Sequence, residues 1–287
     1  MLSNYLINLS NTDASITKVT HGSTTQTGSN AITDYRYIGA NPNNYVCLES
    51  SGSCTEDNLY RIIGVIPTQS TSTGSYENRV KLIKYTSYGN YYWSGSSSNK
   101  NNNWTASTLN TSTLNITYWN SISSYQKYIG DTKWYLGVHE SSDGATRLPE
   151  NLYKAERGTT KAGSAPISTI SKIGLMYPSD YGYATAGGTS QNRNQCLART
   201  MYSWDNTSYT NCRDNDWLKV SNTTEEWLLT PSSTAITHSH IMTRGIIAGR
   251  AVSKSALTIR PCFNLKSNVI YKSGTGTISN PYRLSVN

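Results

Sequence analysis

Short apolar runs bounded by turn-forming residues constrain the fold of this chain more than any other feature. Residues 59–66 (LYRIIGVI) and 79–85 (RVKLIKY) are two such runs, with the turn-forming letters SYEN between them. Tyr, Thr, Ile and Val favour strands, whereas Asn, Gly and Ser favour turns. Apolar residues recur at helical spacing in residues 109–125, and 196–204 is a shorter candidate helix. The sequence therefore predicts an α+β fold with short mixed strands, few helices and long loops.

Further segments extend this pattern along the chain. Residues 35–38 and 45–48 flank the turn sequence GANPNN, which predicts a β-hairpin. Residues 94–103 (SGSSSNKNNN) are typical of a mobile surface loop. Additional strands are predicted at residues 134–138, 173–177, 227–231, 259–265 and 269–271.

The first 33 residues differ from the rest, because they are polar and show little periodicity after Leu9. We expect residues 1–33 to be a leader or linker, with ordered structure from near Tyr35. Residues 34–287 are expected to form a single domain. With 287 residues in all, the chain is long enough to bury a substantial core.

The composition is that of a folded protein without a nucleic-acid partner. Only 15% of the residues are charged, but 36% are hydrophobic and 22 are Tyr. Disordered chains are poor in aromatics and usually richer in charge. The formal net charge is +8, yet the cations form no dense Lys/Arg stripe and no recognition-helix pattern. We therefore expect no binding to nucleic acid.

Four of the five cysteines form two pairs that are close in sequence. Cys47 and Cys54 bracket a short loop, and Cys196 and Cys212 bracket a loop of about 15 residues. Two disulfides at these positions would fit an oxidising compartment, and four reduced buried thiols are the alternative. No C-x-x-C motif is present, so no zinc site is predicted. The fifth, Cys262, lies in an alternating run that predicts a buried thiol.

The cysteine usage predicts an extracellular or cell-surface location. The first residues, MLSNYLINLSNTDAS, have neither the basic region nor the long apolar region of a signal peptide. No apolar run approaches the length of a membrane span. We expect any export signal or membrane anchor to lie outside this sequence.

Residues 231–263, which we call the window, differ in composition from the rest of the chain. The window contains no Asn, Tyr, Trp, Asp or Glu, although the chain is rich in Asn and Tyr. It carries Arg244, Arg250, Lys254 and Arg260. A segment that differs from its own scaffold indicates separate selection. We therefore predict that the window is a binding surface.

Two histidine motifs resemble parts of known metal sites. His139-Glu140 lacks the second imidazole of H-E-x-x-H, and flanking Gly137 and Gly144 argue against a helix, so a surface turn is predicted. His238 and His240 would share one face of a strand. Neither a carboxylate nor a thiol lies nearby in sequence, apart from the distant Cys262. We predict exposed contact residues there, with no metal and no cofactor.

The case for catalysis is weak throughout the sequence. No G-x-S-x-G motif is present, and Gly187-Gly188 lacks the Lys of a phosphate-binding loop. Asn215-Asp216-Trp217 has the wrong residue order for the calcium motif of C-type lectins. The few acidic side chains are too scattered to indicate a glycosidase pair. We predict that the protein is not an enzyme.

Several phrases in the sequence form a recognisable set. They are YRYIGANPNNYV at 35–46, NLYRIIGV at 58–65, RVKLIK at 79–84, KIGLMYPSDYGYA at 172–184, NDWL at 215–218, WLLTP at 227–231, IRP at 259–261, LKSNV at 265–269, GTGT at 274–277 and NPY at 280–282. The set resembles a family of secreted or surface-anchored proteins from gut Firmicutes, over residues 35–284. Such proteins resemble the C-type-lectin-like fold shared with formylglycine-generating enzymes. Some are similar to the variable proteins of diversity-generating retroelements, whose C-terminal segment is rewritten at adenines.

The resemblance implies that the window is diversified. Asn codons of the form AAC, randomised at both adenines, encode neither Lys nor Met, so Lys254 and Met242 would be fixed by the template. Ordinary drift on an exposed loop is the alternative. The expected ligand contacts are Thr234, Ile236, His238, His240, Thr243, Arg244, Ile246, Ala248, Arg250, Ala251, Ser253, Ser255 and Leu257.

The leading hypothesis is a non-enzymatic, extracellular recognition protein with a C-type-lectin-like domain. Its partner is expected to be an unknown protein or glycan on another cell or a phage, with membrane contact only through an anchor that this sequence lacks. A second hypothesis is an adhesin or glycan-binding domain of fixed specificity. A third is an enzyme related to the formylglycine-generating group, although only Cys262 lies near the C-terminus.

Overall fold

A computed structural model of the chain describes residues 1–28, 31–49, 52–96, 98, 100–140, 146–253 and 255–286. Within these ranges the chain is built mostly from sheets with few helices, in agreement with the predicted α+β class. The strands are β1 (Ile16–His21), β2 (Ile32–Tyr37), β3 (Tyr45–Cys47), β4 (Leu59–Gln69), β5 (Tyr76–Lys84), β6 (Gly89–Tyr91), β7 (Thr132–Tyr135), β8 (Ser168–Ser171), β9 (Glu225–Pro231), β10 (His238–Thr243), β11 (Ile246–Ala251), β12 (Leu257–Ile259), β13 (Cys262–Asn264), β14 (Val269–Ser273) and β15 (Tyr282–Val286).

The helices are short. They are α1 (Leu2–Leu9), α2 (Trp119–Ser121), α3 (Pro149–Glu156), α4 (Pro178–Ala184), α5 (Arg193–Leu197) and α6 (Thr210–Asp214). A π-helical segment, Leu109–Tyr118, precedes α2 and confirms the helix predicted at 109–125. The candidate helix at 196–204 is confirmed in part, as α5 followed by a 3₁₀ turn at Met201–Ser203.

The largest sheet has the order β1-β2-β4-β3-β15-β14, with β5 beside β4 and β13 beside β5. Residues 59–66 of β4 are buried without alternation, because both faces of this strand are covered. The strands β4 and β5 form the predicted antiparallel pair. Their turn lies at residues 70–75, so most of the letters SYEN belong to β5 instead.

The hairpin predicted across GANPNN is wrong. Strands β2 and β3 both pair antiparallel with β4, through Tyr35↔Val65 and Tyr45↔Arg61, and not with each other. Because β5 occupies the other edge of β4, the two short strands lie end to end along one edge. Strands β2 and β3 therefore run in the same direction, and the turn residues between them separate two segments that pair with the same edge of β4.

The prediction that ordered structure begins near Tyr35 is also wrong. Helix α1 buries Leu2 and Leu6 in the main core, and its Tyr5 ring stacks on Tyr271 with centroids 4.1 Å apart. Strand β1 pairs with β2 over its whole length. Residues 1–9 and 16–21 are anchored through contacts with distant parts of the chain, which local periodicity does not reveal.

A buried ionic cluster joins the largest sheet to α4. Arg36 donates hydrogen bonds to Asp34 and to Asp180, and Lys81 donates to the second oxygen of Asp180 at 2.5 Å. These cations hold the pKa of Asp180 well below its usual range against the opposing effect of burial. Buried charges are tolerated only when paired in this way. Residues 173–177, predicted as a strand, make only an isolated bridge at Gly174 before α4 begins.

A five-stranded sheet of order β11-β10-β9-β12-β6 carries most of the window. Strands β10 and β11 form a hairpin in the register Thr243↔Ile246, so Arg244 and Gly245 alone make the turn. Both turn residues have positive φ, 52° and 77°, as a type I′ turn requires. The predicted strand at 227–231 is confirmed as part of β9.

Both predicted disulfides are present, Cys47–Cys54 and Cys196–Cys212, and the remaining thiol, Cys262, is free and buried as expected. Disulfides of this kind are typical of an oxidising, extracellular setting. No helix among the described residues is long and apolar enough to cross a membrane.

Candidate functional site

The predicted contact residues lie on the β10–β11 hairpin, in the segments beside it and at the start of β12, and they differ in how far their side chains are exposed. Three side chains are exposed: Thr234, Ile236 and Arg244. Seven are partly exposed: His238, Thr243, Ala248, Arg250, Ala251, Ser253 and Ser255. The other three, His240, Ile246 and Leu257, are buried. Lys254 lies outside the described residues.

The expectation that His240, Ile246 and Leu257 contact a ligand at the surface is wrong for this structure. Ile246 and Leu257 belong to the main hydrophobic core. Strand β10 lies between β9 and β11, and residues 239–242 are all buried, so both faces of the strand are covered here. The assumed strict alternation of exposed and buried side chains fails for that reason.

His240 is enclosed in the protein. Its side chain is fully buried, its Nδ1 lies 3.0 Å from the Thr230 carbonyl oxygen, and its ring lies 5.7 Å from that of His139. Burial, reinforced by His139 and Arg147, lowers the pKa of His240 to about 3. His240 is therefore neutral at physiological pH and serves the packing of the window.

The three arginines of the window, which the structure describes, are paired with acids from outside it. Arg250 bonds Glu225, and Arg260 donates from Nε and Nη2 to the two carboxylate oxygens of Glu226 at 2.9 and 2.8 Å. Arg244, the most exposed of them, lies 3.7 Å from Asp205. Among the described residues, each arginine of the acid-free window therefore lies beside an acid from another segment.

The backbone of the window is held by one buried amide. Asn102 is fully buried, and its Nδ2 donates to the His238 carbonyl oxygen at 2.6 Å and to those of Ser233 and Ala235 at 3.3 Å. Its own backbone N–H donates to the Ile236 carbonyl oxygen at 3.0 Å. Residue 102 belongs to the segment predicted as a mobile surface loop, so that prediction is wrong at this position.

Other scaffold groups also bind window backbone atoms. Glu140 Oε1 accepts from the Thr234 amide at 2.8 Å, and the Gly163 amide donates to the carbonyl oxygen of the same residue. At the hairpin turn, the hydroxyl of the buried Tyr181 donates to the Gly245 carbonyl oxygen at 2.7 Å. Arg147 Nη1 donates to the Ile247 carbonyl oxygen at 3.2 Å. None of these bonds requires a particular side chain in the window.

Two findings concern metal binding and thiol chemistry among the residues that the structure describes. No group of three or more His, Cys, Asp and Glu side chains could hold a metal ion there. Gly144, which follows His139-Glu140 in the sequence, lies outside the described residues. Burial raises the pKa of the Cys262 thiol well above its usual range. That thiol is therefore protonated at neutral pH and a poor nucleophile.

Sequence reasoning missed the residues that hold the window, above all Asn102 and Tyr181. Asn102 stands in a run of Asn, Ser and Lys residues that predicts only a loop. Tyr181 lies in a phrase that also carries the resemblance, but nothing in the phrase indicates its bond to the hairpin turn.

The chain matches no protein-family model, and neither a curated protein nor a solved structure matches it.

Proposed function

We propose that this chain is an extracellular ligand-recognition protein of C-type-lectin-like fold, whose window is diversified by a retroelement. The observation that carries the proposal is the way in which the window is held. Asn102, Glu140 and Tyr181 form hydrogen bonds with its backbone atoms, so the exposed side chains of the window take no part in these bonds. A surface built in this way can change its residues without losing its shape.

The energetics favour such tolerance at the exposed positions. Substitutions on an exposed surface usually change the free energy of unfolding by no more than about 0.5 kcal/mol. Thr234, Ile236 and Arg244 are exposed, while the hydrogen bonds at 233–238 and at the hairpin turn depend on scaffold side chains. Arg and His at such positions supply charge-assisted hydrogen bonds to a ligand, and Ile236 supplies apolar area.

The residue at position 242 supports the same proposal. Met is not encoded by an AAC codon randomised at its adenines, so Met242 has to be fixed by the template. In the structure Met242 is fully buried in the middle of β10. A fixed residue in a diversified segment is expected where the core needs it, because changes there leave cavities or strain.

The proposed fold and location are supported by the arrangement of the sheets and by the disulfides. The hairpin of the window lies in a five-stranded sheet separate from the larger one, with β11 at its edge. The disulfides Cys47–Cys54 and Cys196–Cys212 suit a protein that works outside the cell. A rigid scaffold that presents a variable edge is a suitable framework for recognition.

Comparison of sibling genes tests the proposal. Diversification predicts that differences concentrate at adenine-derived codons of the exposed and partly exposed window positions. It also predicts a near-copy of the window beside a reverse transcriptase gene in the flanking DNA. Differences spread evenly along the chain would contradict the proposal and favour an adhesin of fixed specificity.

A further inference from the structure

A cavity of about 420 Å³ lies beside β4, and its described lining residues include none from the β10–β11 hairpin. Arg61 of β4, Trp217 and Arg260 contribute to its walls. Four residues with hydroxyl groups also line it: Ser87, Ser221, Thr224 and the buried Thr258. The cavity therefore combines cationic and aromatic groups with many small hydrogen-bonding groups.

Arg61 has no carboxylate partner in the part of the chain that the structure describes. Its Nε donates to Asn44 Oδ1 at 2.7 Å, and its Nη2 donates to Asn41 Oδ1 and to the Pro42 carbonyl oxygen, each at 3.1 Å. Its Nη1 makes no hydrogen bond to a described residue. The residue is only 7% exposed, so a charge is held at the cavity with one donor group unused.

The carboxylates nearest to the other cations of the cavity are already engaged. Glu226 binds Arg260 through both of its oxygens, and Asp214 binds Lys219 at 2.6 Å. Burial lowers the pKa of Arg61 only to about 10, so the guanidinium is charged at neutral pH. The wall of the cavity therefore has an excess positive charge centred on Arg61.

The guanidinium is fixed in place before any ligand arrives. Its central carbon lies 4.4 Å from the centre of the Tyr45 ring and 4.5 Å from that of Trp217. Trp217 is itself fixed, since its Nε1 donates to the Tyr37 carbonyl oxygen at 2.9 Å. The unused Nη1 group is therefore held in a fixed position, from which it can donate a charge-assisted hydrogen bond to a carboxylate oxygen, and less ordering is needed on binding.

We infer that this cavity is a second, fixed binding site for a carboxylate-bearing sugar, a ligand of the uronic-acid type. The carboxylate meets Arg61, and the sugar hydroxyls meet Ser87, Ser221 and Thr258. Thr224 and Thr258 also line an adjoining cavity of about 380 Å³, which extends the site toward Ser255. Thr258, Arg260 and Ser255 belong to the window, whereas Arg61, Trp217 and Ser221 lie outside it. The contact of the carboxylate with Arg61 therefore does not depend on diversification of the window.

Titration calorimetry of the full chain with sodium glucuronate tests the inference, with glucose as the neutral sugar and an N-acetylated dipeptide as a carboxylate without a sugar. We expect glucuronate to bind at least about tenfold more tightly than either comparison ligand, since one charge-assisted contact is lost with glucose and the hydroxyl contacts are lost with the peptide. Affinity is expected to fall as salt rises. Equal or weaker binding of glucuronate, or no binding, overturns the inference.

Variants locate the site. Arg61→Met keeps the aliphatic stem and should abolish detectable binding. Because Arg61 is buried and Arg61→Met could fail to fold, Ser221→Trp serves as a second variant that obstructs the cavity from an exposed rim position. Asn222→Trp adds the same ring at the exposed neighbour and should bind as the wild type does. Unchanged affinity in Ser221→Trp would overturn the assignment, and so would equal losses in Ser221→Trp and Asn222→Trp.

The two binding surfaces can be tested separately. Substitution of Arg244 should leave glucuronate binding unchanged, because that side chain lies on the hairpin turn and does not line the cavity. Loss of glucuronate binding on Arg244→Asn would contradict the separation. Failure of the sibling-gene comparison would leave the assignment of this cavity intact.

Discussion

Individual residues of the window have different roles, although they are adjacent in sequence. His238 is partly exposed and its Nδ1 lies 2.8 Å from Thr237 Oγ1, whereas His240 is fully buried. Arg244 extends from the hairpin turn, whereas Arg260 is buried and fixed on Glu226. Residue type alone therefore does not identify a ligand contact. The burial of each side chain shows whether it can reach a ligand or instead packs inside the protein.

His240 makes the stability of the protein depend on pH. Its pKa is about 3 in the folded chain and near 6.5 in the unfolded chain, so the unfolded state binds the proton first as pH falls. The contribution of the neutral His240 ring to the free energy of unfolding is fully present above pH 6.5. It falls by about 1.4 kcal/mol per pH unit as pH decreases toward 3. We expect His240→Gln to flatten the fall in unfolding free energy between pH 6.5 and 5.

Urea denaturation at several pH values measures this slope. His238→Gln, which removes the partly exposed imidazole two residues away, is the matched control for loss of a histidine. The slope, and not the absolute stability, is the readout, because either substitution can change packing. Parallel curves for the wild type and His240→Gln over this pH range would contradict the assignment.

At the scale of elements, the β10–β11 hairpin limits what its own turn can contain. Arg244 is the only non-glycine residue with positive φ among those described, and a β-branched residue is strongly disfavoured there. Asn tolerates this conformation, and Asn-Gly is a preferred type I′ turn. Even a diversified window is therefore expected to select among residues at position 244.

We expect Arg244→Asn to keep or raise the free energy of unfolding, and Arg244→Val to lower it by roughly 1 kcal/mol. The exposed contact with Asp205 at 3.7 Å contributes little to either value, since surface ion pairs are worth at most about 1 kcal/mol. Chemical denaturation of both variants measures the difference. Equal stability of the Val and Asn variants would show that the turn does not constrain this position.

The elements show how much of the fold the sequence predicts. Strands β4, β5 and β9 were predictable because each contains an apolar run with strand-forming residues. The pairing of β2 and β3 with β4 was not, because turn residues indicate where a run ends and not which strand lies beside it. For the site, the position of the window followed from composition. Its acid partners Glu225 and Asp205 and its support Asn102 are set by tertiary contacts that composition does not encode.

At the scale of the whole molecule, two surfaces with different properties lie on one scaffold. The window presents exposed side chains on a backbone held by Asn102 and Tyr181. The cavity at Arg61 is built from residues that the framework itself holds in place. A recognition protein with both would combine a contact that varies between siblings with one that does not. If one target carried both ligands, the two contacts together would bind it with greater avidity than either alone.

The central claim is that the framework tolerates change at the exposed and partly exposed window positions and not at the buried ones. The most direct test is the fraction of folded members, measured as protease resistance on a display platform, in two libraries made with adenine-randomised codons. One library varies the three positions Thr234, Ile236 and His238, and the matched library varies the three buried positions His240, Ile246 and Leu257. We predict that most members of the first library fold and few of the second do. Equal fractions in the two libraries, or collapse of the first, would contradict the claim.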